Sequence, residues 1–174
     1  MRQSAKEDQD RFAALFEAHY ALVWAFAARR VGRDLADEVT SETLLVAWRR
    51  LDVVPPEPLP WLYGVARNVI SRQRQASAKH MKTQELLARE RPGRVFEEDG
   101  EHPELWLAWQ QLSEADREVL SLTVWEDLAV SDAAKVLNVS ASVFSVRLHR
   151  ARRRLERQLG EAAPSGVPAI PEAT

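Results

Sequence analysis

Apolar residues recur along this chain at intervals of three and four, and alternating runs of branched and aromatic residues are absent, which predicts helices throughout. Phe12, Leu15, Phe16, His19, Val23 and Phe26 form one stripe, preceded by Ser4 and Glu7 at capping-box spacing and followed by Gly32 as a stop. A second helix is expected after Asp34 as its cap, with Val39, Thr43 and Ala47 on one face and Leu44, Trp48 and Leu51 on the next. Pro55, Pro56, Pro58 and Pro60 then remove backbone donors and predict a stiff, extended loop from Asp52 to Pro60. Pro60 or Trp61 opens a third helix, with Leu62, Val65, Ala66, Val69 and Ile70 facing inward and a pattern that fades beyond Gln75. Trp48, Trp61, Trp106 and Trp109 read as core residues, and His19 as a hydrogen-bonded core histidine.

The pattern breaks near Met81. Residues 82–103 are acidic and carry Pro92-Gly93, Gly100 and Pro103, the composition of a flexible linker, with room for a helical turn or two between Gln84 and Arg91. Leu105, Ala108, Trp109 and Leu112 then mark a short helix, and Ser113 with Asp116 caps another that carries Val119, Leu120, Thr123 and Val124. Residues 161–174 hold prolines and no apolar period, and read as a disordered tail. The expected architecture is all-α: two small helical domains, 1–81 and 104–160, joined by a flexible acidic linker. Domains of about sixty to eighty residues bury only about 60% of their unfolded surface, so each is marginal alone.

Composition narrows the chemistry. With 45% apolar and 29% charged residues the chain is of ordinary globular type, and the absence of cysteine excludes disulfides, thiolate metal sites and cysteine nucleophiles. No eighteen-residue apolar run occurs and the first residues lack the apolar stretch of a secretion signal, so a cytoplasmic protein without membrane insertion is expected. The formal net charge of -2 conceals a strong segregation. Trp61 to Gln84 contains Arg67, Arg72, Arg74, Lys79 and Lys82 and no acid; Ser140 to Gly160 contains many arginines against the single acid Glu156. Acids crowd the stretch between these basic blocks.

The second basic block carries a recognisable spacing. Small Ala134, turn-tolerant Asn138 and apolar Phe144 stand where a helix-turn-helix needs a close crossing, a left-handed residue and an anchor. Ser140 then caps the second helix, whose Ser142, Ser145, Val146, His149 and Arg150 are placed to reach base edges while the following arginines meet phosphates. A solvated arginine-rich helix is the plain alternative.

These residues resemble the bacterial sigma factors, specifically the small extracytoplasmic-function (group IV) type of the sigma-70 family. The likeness runs from Phe12 to Leu159. Val139-Ser140 followed by Arg147 to Leu155 is similar to the family's minus-thirty-five recognition helix, and Leu112 to Leu120 to the helix leading into it. Ala36 to Trp48 is similar to the segment that docks on the clamp helices of the polymerase largest subunit, and Trp61 to Asn68 to the helix that approaches the minus-ten element. Asp127 and Asn138 stand where the family usually has glycine, and Ala129 where a Ser or Thr cap is common.

The resemblance implies a promoter-specificity subunit without catalytic residues, metal or cofactor. Its partners would be core RNA polymerase, through the clamp helices and flap, promoter DNA, and an anti-sigma protein of the kind that often silences relatives. Minus-thirty-five contacts would come from Ser140, Ser142, Ser145, Val146, Arg147, His149, Arg150 and Arg153. Minus-ten contacts and melting would fall to Val53, Val54, Leu59, Trp61, Arg67, Asn68, Arg72 and Arg74, with the proline-rich loop capturing an extruded base. Polymerase would be held by Asp37, Glu38, Ser41, Glu42, Leu45 and Val46. Scattered histidines and the absence of a phosphate-binding glycine loop argue against an enzyme. A stand-alone helix-turn-helix regulator and a protein-binding adaptor are the competing classes.

Overall fold

The computed structural model describes residues 2–83 and 103–162. Residues 84–102 of the expected linker, with the helical turn foreseen there, and the tail from residue 163 lie outside the described residues. Among those described there are seven α-helices, one short 3-10 turn and no strand. A first lobe contains α1 (Arg2–Val31), α2 (Arg33–Arg49), the 3-10 turn Leu51–Val53 and α3 (Pro58–Thr83). A second contains α4 (Pro103–Gln111), α5 (Glu114–Val124), α6 (Val130–Leu137) and α7 (Ala141–Ala162).

In the first lobe α1 packs on both α2 and α3. Val23, Phe26, Ala27, Val39, Ala47, Leu62, Ala66 and Val69 are wholly buried between them, and the Phe26 and Tyr63 rings stack at 4.4 Å. Thr40 and Thr43 share this core because each hydroxyl donates to the carbonyl four residues back, Ala36 and Val39, at 2.7 Å. His19 is hydrogen-bonded as foreseen, its Nδ1 donating to the Leu15 carbonyl at 2.9 Å, but it is half-buried at the edge of the lobe and not a core residue.

Several boundaries differ from the sequence reading. Helix α1 already runs from Arg2, so Ser4 lies inside it and is not its cap. Gly32, at φ 84°, both ends α1 and stands as the N-cap of α2, which puts Asp34 in the first turn, where its charge complements the helix dipole. Helix α3 begins at Pro58, before Pro60 or Trp61, because prolines in a first turn remove only N–H groups that have no partner in the helix. It also continues past Gln75 to Thr83. Phe16 and Trp48 are surface residues, 40% and 43% exposed; Trp48 meets the edge of Phe12 at 5.1 Å and leaves its other side to solvent. Trp61 and Trp106 are half-buried and Trp109 is buried.

The second lobe follows its local signals more closely. The Asp116 backbone N–H donates to Ser113 Oγ at 3.1 Å, and the Ser113 hydroxyl donates to Asp116 Oδ2 at 2.7 Å, which closes the expected cap of α5. Asn138 adopts φ 53°, ψ 48° at the end of α6, and Asp127 has φ 49° before it, the left-handed positions that Asn and Asp tolerate best after glycine. Ala129 leaves α6 without a side-chain cap, and Ser131 does not replace it. Leu105 and Val124, expected on apolar faces, are exposed, whereas Leu122 is fully buried.

The lobes meet through α3 and α6, and the buried apolar residues of both form one continuous cluster. Gly64 carries α3 close over α6: a Cβ there would stand 4.0 Å from the Val136 carbonyl oxygen. Beside this crossing Arg29 and Arg30, at the end of α1, reach into the second lobe. Arg29 pairs with Glu126, and Arg30 pairs with Glu126 at 2.8 Å and Glu118 at 3.0 Å. The Glu126 side chain has no solvent exposure, and the Arg30 guanidinium lies 3.5 Å above the Phe26 ring. Removing one partner from such a buried pair commonly costs about 3–5 kcal/mol, because the other charge is left unpaired out of water.

Candidate nucleic-acid interface

Helix α7 is divided sharply by its own sequence. Phe144, Leu148 and Ala151 recur at spacings of four and three, and all are buried against the second lobe. Ser142, Ser145, Val146, Arg147, His149, Arg150 and Arg153 are thereby turned to the exposed side. Ser140 sets the start of the helix: its Oγ accepts from the Val143 N–H at 3.3 Å, and its own carbonyl accepts from the Phe144 N–H at 2.9 Å. The Ser145 hydroxyl donates to the Ala141 carbonyl at 2.9 Å. The exposed face is a short polar end followed by cations, supported from behind by packed apolar side chains.

Arg154 turns toward its own lobe and bonds both Asp116 carboxylate oxygens, at 2.7 and 2.8 Å. Burial pulls the Asp116 carboxyl upward, but hydrogen bonds from Ser113 and Arg154 and the charge of Arg154 outweigh it, so the group is held below the usual carboxylate range. The C-terminal half of α7 is thus fixed to the start of α5.

On the first lobe, Arg67 and Asn68 project from α3 on its exposed side. Arg72 pairs with Glu42 at 2.8 Å, while Arg74 pairs with Glu114 of the second lobe and donates to the Arg30 carbonyl at 3.2 Å. The loop ahead of α3 presents Val53, 49% exposed, but buries Val54, whose carbonyl accepts from Arg11 at 3.3 Å; Leu59 and Trp61 are half-buried.

Helix α2 shows the face on which polymerase docking was expected. Asp37 accepts hydrogen bonds from Trp24 Nε1 at 2.9 Å and Tyr20 at 3.4 Å, and Glu38 accepts from Gln73 at 3.1 Å. These acids are held in place by α1 and α3 while Asp37, Glu38, Ser41 and Leu45 stay exposed and Glu42 and Val46 are half-buried. Exposed Trp48 and Phe16 extend this face with an aromatic edge that the periodicity assigned to the core.

Three of the minus-ten candidates and two of the minus-thirty-five candidates share one cleft; the others lie outside it. A cleft of about 860 Å³ between the lobes is lined by Arg67, Asn68 and Arg74 on one side and Arg147, Arg150 and Arg154 on the other. The Arg29–Arg30–Glu118–Glu126 cluster was missed by the sequence reading, since pairs some ninety positions apart leave no periodic signal. Tyr63, beneath that cluster, has its hydroxyl pushed up to about 12, by burial first and by the Glu126 charge second, against the lowering effect of Arg29 and Arg30. Among the described residues no group of His, Asp or Glu could hold a metal ion, and no helix is long and apolar enough to cross a membrane.

Comparison with known proteins bears on this arrangement. Residues 15–79 match the model of sigma-70 region 2 and residues 103–155 that of sigma-70 region 4. The extracytoplasmic-function RNA polymerase sigma factor SigL of Mycobacterium tuberculosis is 29% identical over 159 residues, covering 85% of this chain and 88% of that one. The RNA polymerase sigma factor NccH of Alcaligenes xylosoxydans xylosoxydans is 29% identical over 167 residues, covering 88% and 89%. Among solved structures, the sigma factor RpoE from Bartonella quintana, in complex with the anti-sigma factor NepR, superposes with a TM-score of 0.69 at 22% identity over 86% of this chain and 96% of that one. CnrH, in complex with the cytosolic domain of CnrY, superposes with a TM-score of 0.59 at 26% identity over 92% and 94%. The chain belongs to the sigma-70 family, in its extracytoplasmic-function group, and is a promoter-recognition factor of transcription initiation rather than an enzyme.

Proposed function

We propose that this chain binds core RNA polymerase through α2, reads the minus-thirty-five element with α7, and uses α3 with the loop before it at the minus-ten element, where it assists strand opening. The observation that carries the reading is the two-sided α7, in which Phe144, Leu148 and Ala151 are packed and Ser142, Ser145, Val146, Arg147, His149, Arg150 and Arg153 are exposed. The serines and Ser140 at the helix start are short enough to admit the groove wall, and the arginines supply phosphate contacts whose affinity falls as salt rises. Val146 offers an apolar contact of the kind a thymine methyl takes.

At the minus-ten element Arg67, Asn68, Arg72 and Arg74 are the duplex and strand contacts, and Val53 with the exposed edges of Leu59 and Trp61 is the surface for an unstacked base. Val54 serves that surface from beneath, as a buried support. The prolines restrict the loop before binding, so less ordering entropy is lost on capture. Asp37, Glu38, Ser41 and Glu42 form the polar part of the polymerase contact, with Leu45, Val46 and Trp48 its apolar part. Region 2 function is assigned to residues 1–81 and region 4 function to 104–160. Because RpoE is known with the anti-sigma factor NepR, a protein inhibitor of that kind completes the list of partners.

The test is transcription in vitro by bacterial core polymerase, with and without the purified chain, on a pool of randomised promoter DNA. Start-specific transcripts that depend on the chain are expected, and their sequences give both elements. Arg147→Ala with Arg150→Ala should abolish selection at the upstream element, and Leu45→Ala with Trp48→Ala should weaken core binding by about 2 kcal/mol or more, as truncation of buried interface anchors does. Tight operator binding by the chain alone, with no polymerase-dependent transcripts, would replace this reading with a stand-alone regulator.

A further inference from the structure

We infer that the cleft lined by Arg67, Arg147 and Arg150 is a binding site for a nucleoside polyphosphate, which places its phosphates among these three guanidiniums and its base against Trp125. What such a ligand withholds from DNA rests on the proposed promoter function; the site itself rests on the geometry alone.

The cleft, of about 860 Å³, falls in the size range of sites for small ligands. Helix α3 brings Arg67 and Arg74 to it, and α7 brings Arg147, Arg150 and Arg154. Helical periodicity sets the second group. With Phe144, Leu148 and Ala151 packed on the lobe, Val146 and Arg153 stand opposite them, while Arg147 and Arg150, three residues apart, share one flank. That flank borders the cleft, so a compact ligand there meets cations from two helices at once.

The charges around the cleft do not balance. Each acid that lines it already has an arginine: Glu114 pairs with Arg74, Asp116 with Arg154 at 2.7 Å, and Glu118 with Arg30 at 3.0 Å. Among the described residues no carboxylate pairs with Arg67, Arg147 or Arg150. Their mutual repulsion across one small volume favours a multiply charged anion, and the forked N–H donors of guanidinium match phosphate oxygens in pairs. Trp125 supplies recognition of a different kind. It lines the same cleft, is 38% exposed, and is braced by buried Trp109 at 4.7 Å with the two rings nearly perpendicular. Neither the promoter contacts nor the polymerase contact uses this indole, whereas a nucleobase stacks on such a surface. Phosphate-binding guanidiniums and an aromatic surface in one cleft are the two halves of a nucleotide site. Occupancy engages the arginines assigned to promoter phosphates, so nucleotide and DNA compete for them.

The experiment titrates the full chain with GTP, ATP and inorganic tripolyphosphate by calorimetry. Saturable binding is expected for all three, with tripolyphosphate weaker by about tenfold because it lacks a base to stack. Arg67→Ala and Arg147→Ala should each lower the affinity for GTP by about tenfold or more, the loss of a hydrogen-bonded charge. Arg152→Ala removes the same charge at an exposed position of α7 outside the cleft and should leave it unchanged. Trp125→Leu should bring GTP down to the affinity of tripolyphosphate without altering the latter. Equal losses in Arg152→Ala and Arg147→Ala would overturn the inference, since a diffuse charge effect would then explain the binding. So would the absence of saturable binding at millimolar nucleotide, or GTP and tripolyphosphate binding alike in the parent and in Trp125→Leu. A last arm adds GTP to the chain on duplex DNA at low salt, with displacement as the expected result. Nucleotide binding that follows the cleft arginines but leaves duplex binding undiminished would uphold the site and sink instead the assignment of Arg67 and Arg147 to DNA.

Discussion

Tyr63 reports on the junction between the lobes from a single hydroxyl. Its ring is buried and stacked on Phe26, and its pKa is raised to about 12 by burial and by the Glu126 charge. A tyrosine raised in the folded state contributes stability that is fully present below the ordinary value of about 10 and is lost as pH rises through the folded value. With only two tyrosines in the chain, absorbance at 295 nm should resolve one of them titrating near 12, and Tyr63→Phe should remove that step. A late step that persisted in Tyr63→Phe would refute the assignment. Periodicity put Tyr63 on the third helix but gave no hint of its neighbours, because Glu126 approaches it from a distant part of the chain. Trp48 failed for the opposite reason: its spacing matched the core stripe, yet the stripe is narrower than the apolar run, and Phe12 shields only one side of the indole.

The helices themselves were legible where local chemistry decides them. Ser113 and Ser140 cap α5 and α7 by side-chain acceptance from the expected backbone N–H groups, and Asn138 takes the left-handed turn that its type permits. Asn138→Ala should cost about 1–2 kcal/mol, the penalty of placing a Cβ-bearing residue without a helpful side chain at positive φ, whereas Asn138→Gly should be neutral or slightly stabilising. Ser140→Ala should cost about 1 kcal/mol, and all three are measured by urea unfolding at constant m. Helix starts were misread where backbone permissiveness, not side-chain signals, sets them: Gly32 serves as both stop and start, and Pro58 and Pro60 sit in a first turn that needs no donors. The exposed face of α7 was readable in advance because it is the complement of Phe144, Leu148 and Ala151; the loop before α3 was less so, since burial of Val54 but not Val53 depends on how the 3-10 turn meets α1.

As a whole molecule the chain is two lobes with one continuous apolar cluster, and its unfolding should reflect that. The free parent should melt in a single transition by calorimetry, whereas Gly64→Gln should divide it into two, each of a marginal domain. Two transitions in the parent would mean that the shared cluster contributes little. None of this was visible in the two-domain expectation, which placed much of each lobe's apolar face from local spacing, with Phe16, Trp48, Leu105 and Val124 as misplacements, but contained no term for a contact between the lobes.

The arginines of the structure carry a further consequence for how such a protein travels. A genome offers about a million or more nonspecific sites, and exposed cations would bind a free factor to them before it met polymerase. Arg67, Arg147 and Arg150 are exposed along one cleft, whereas Arg29, Arg30, Arg74 and Arg154 are already paired with acids, so the chain presents a weaker polycation to the chromosome than its sequence suggests. It should therefore bind random duplex more weakly than its arginine count suggests, leaving more of it free to meet polymerase by diffusion in three dimensions.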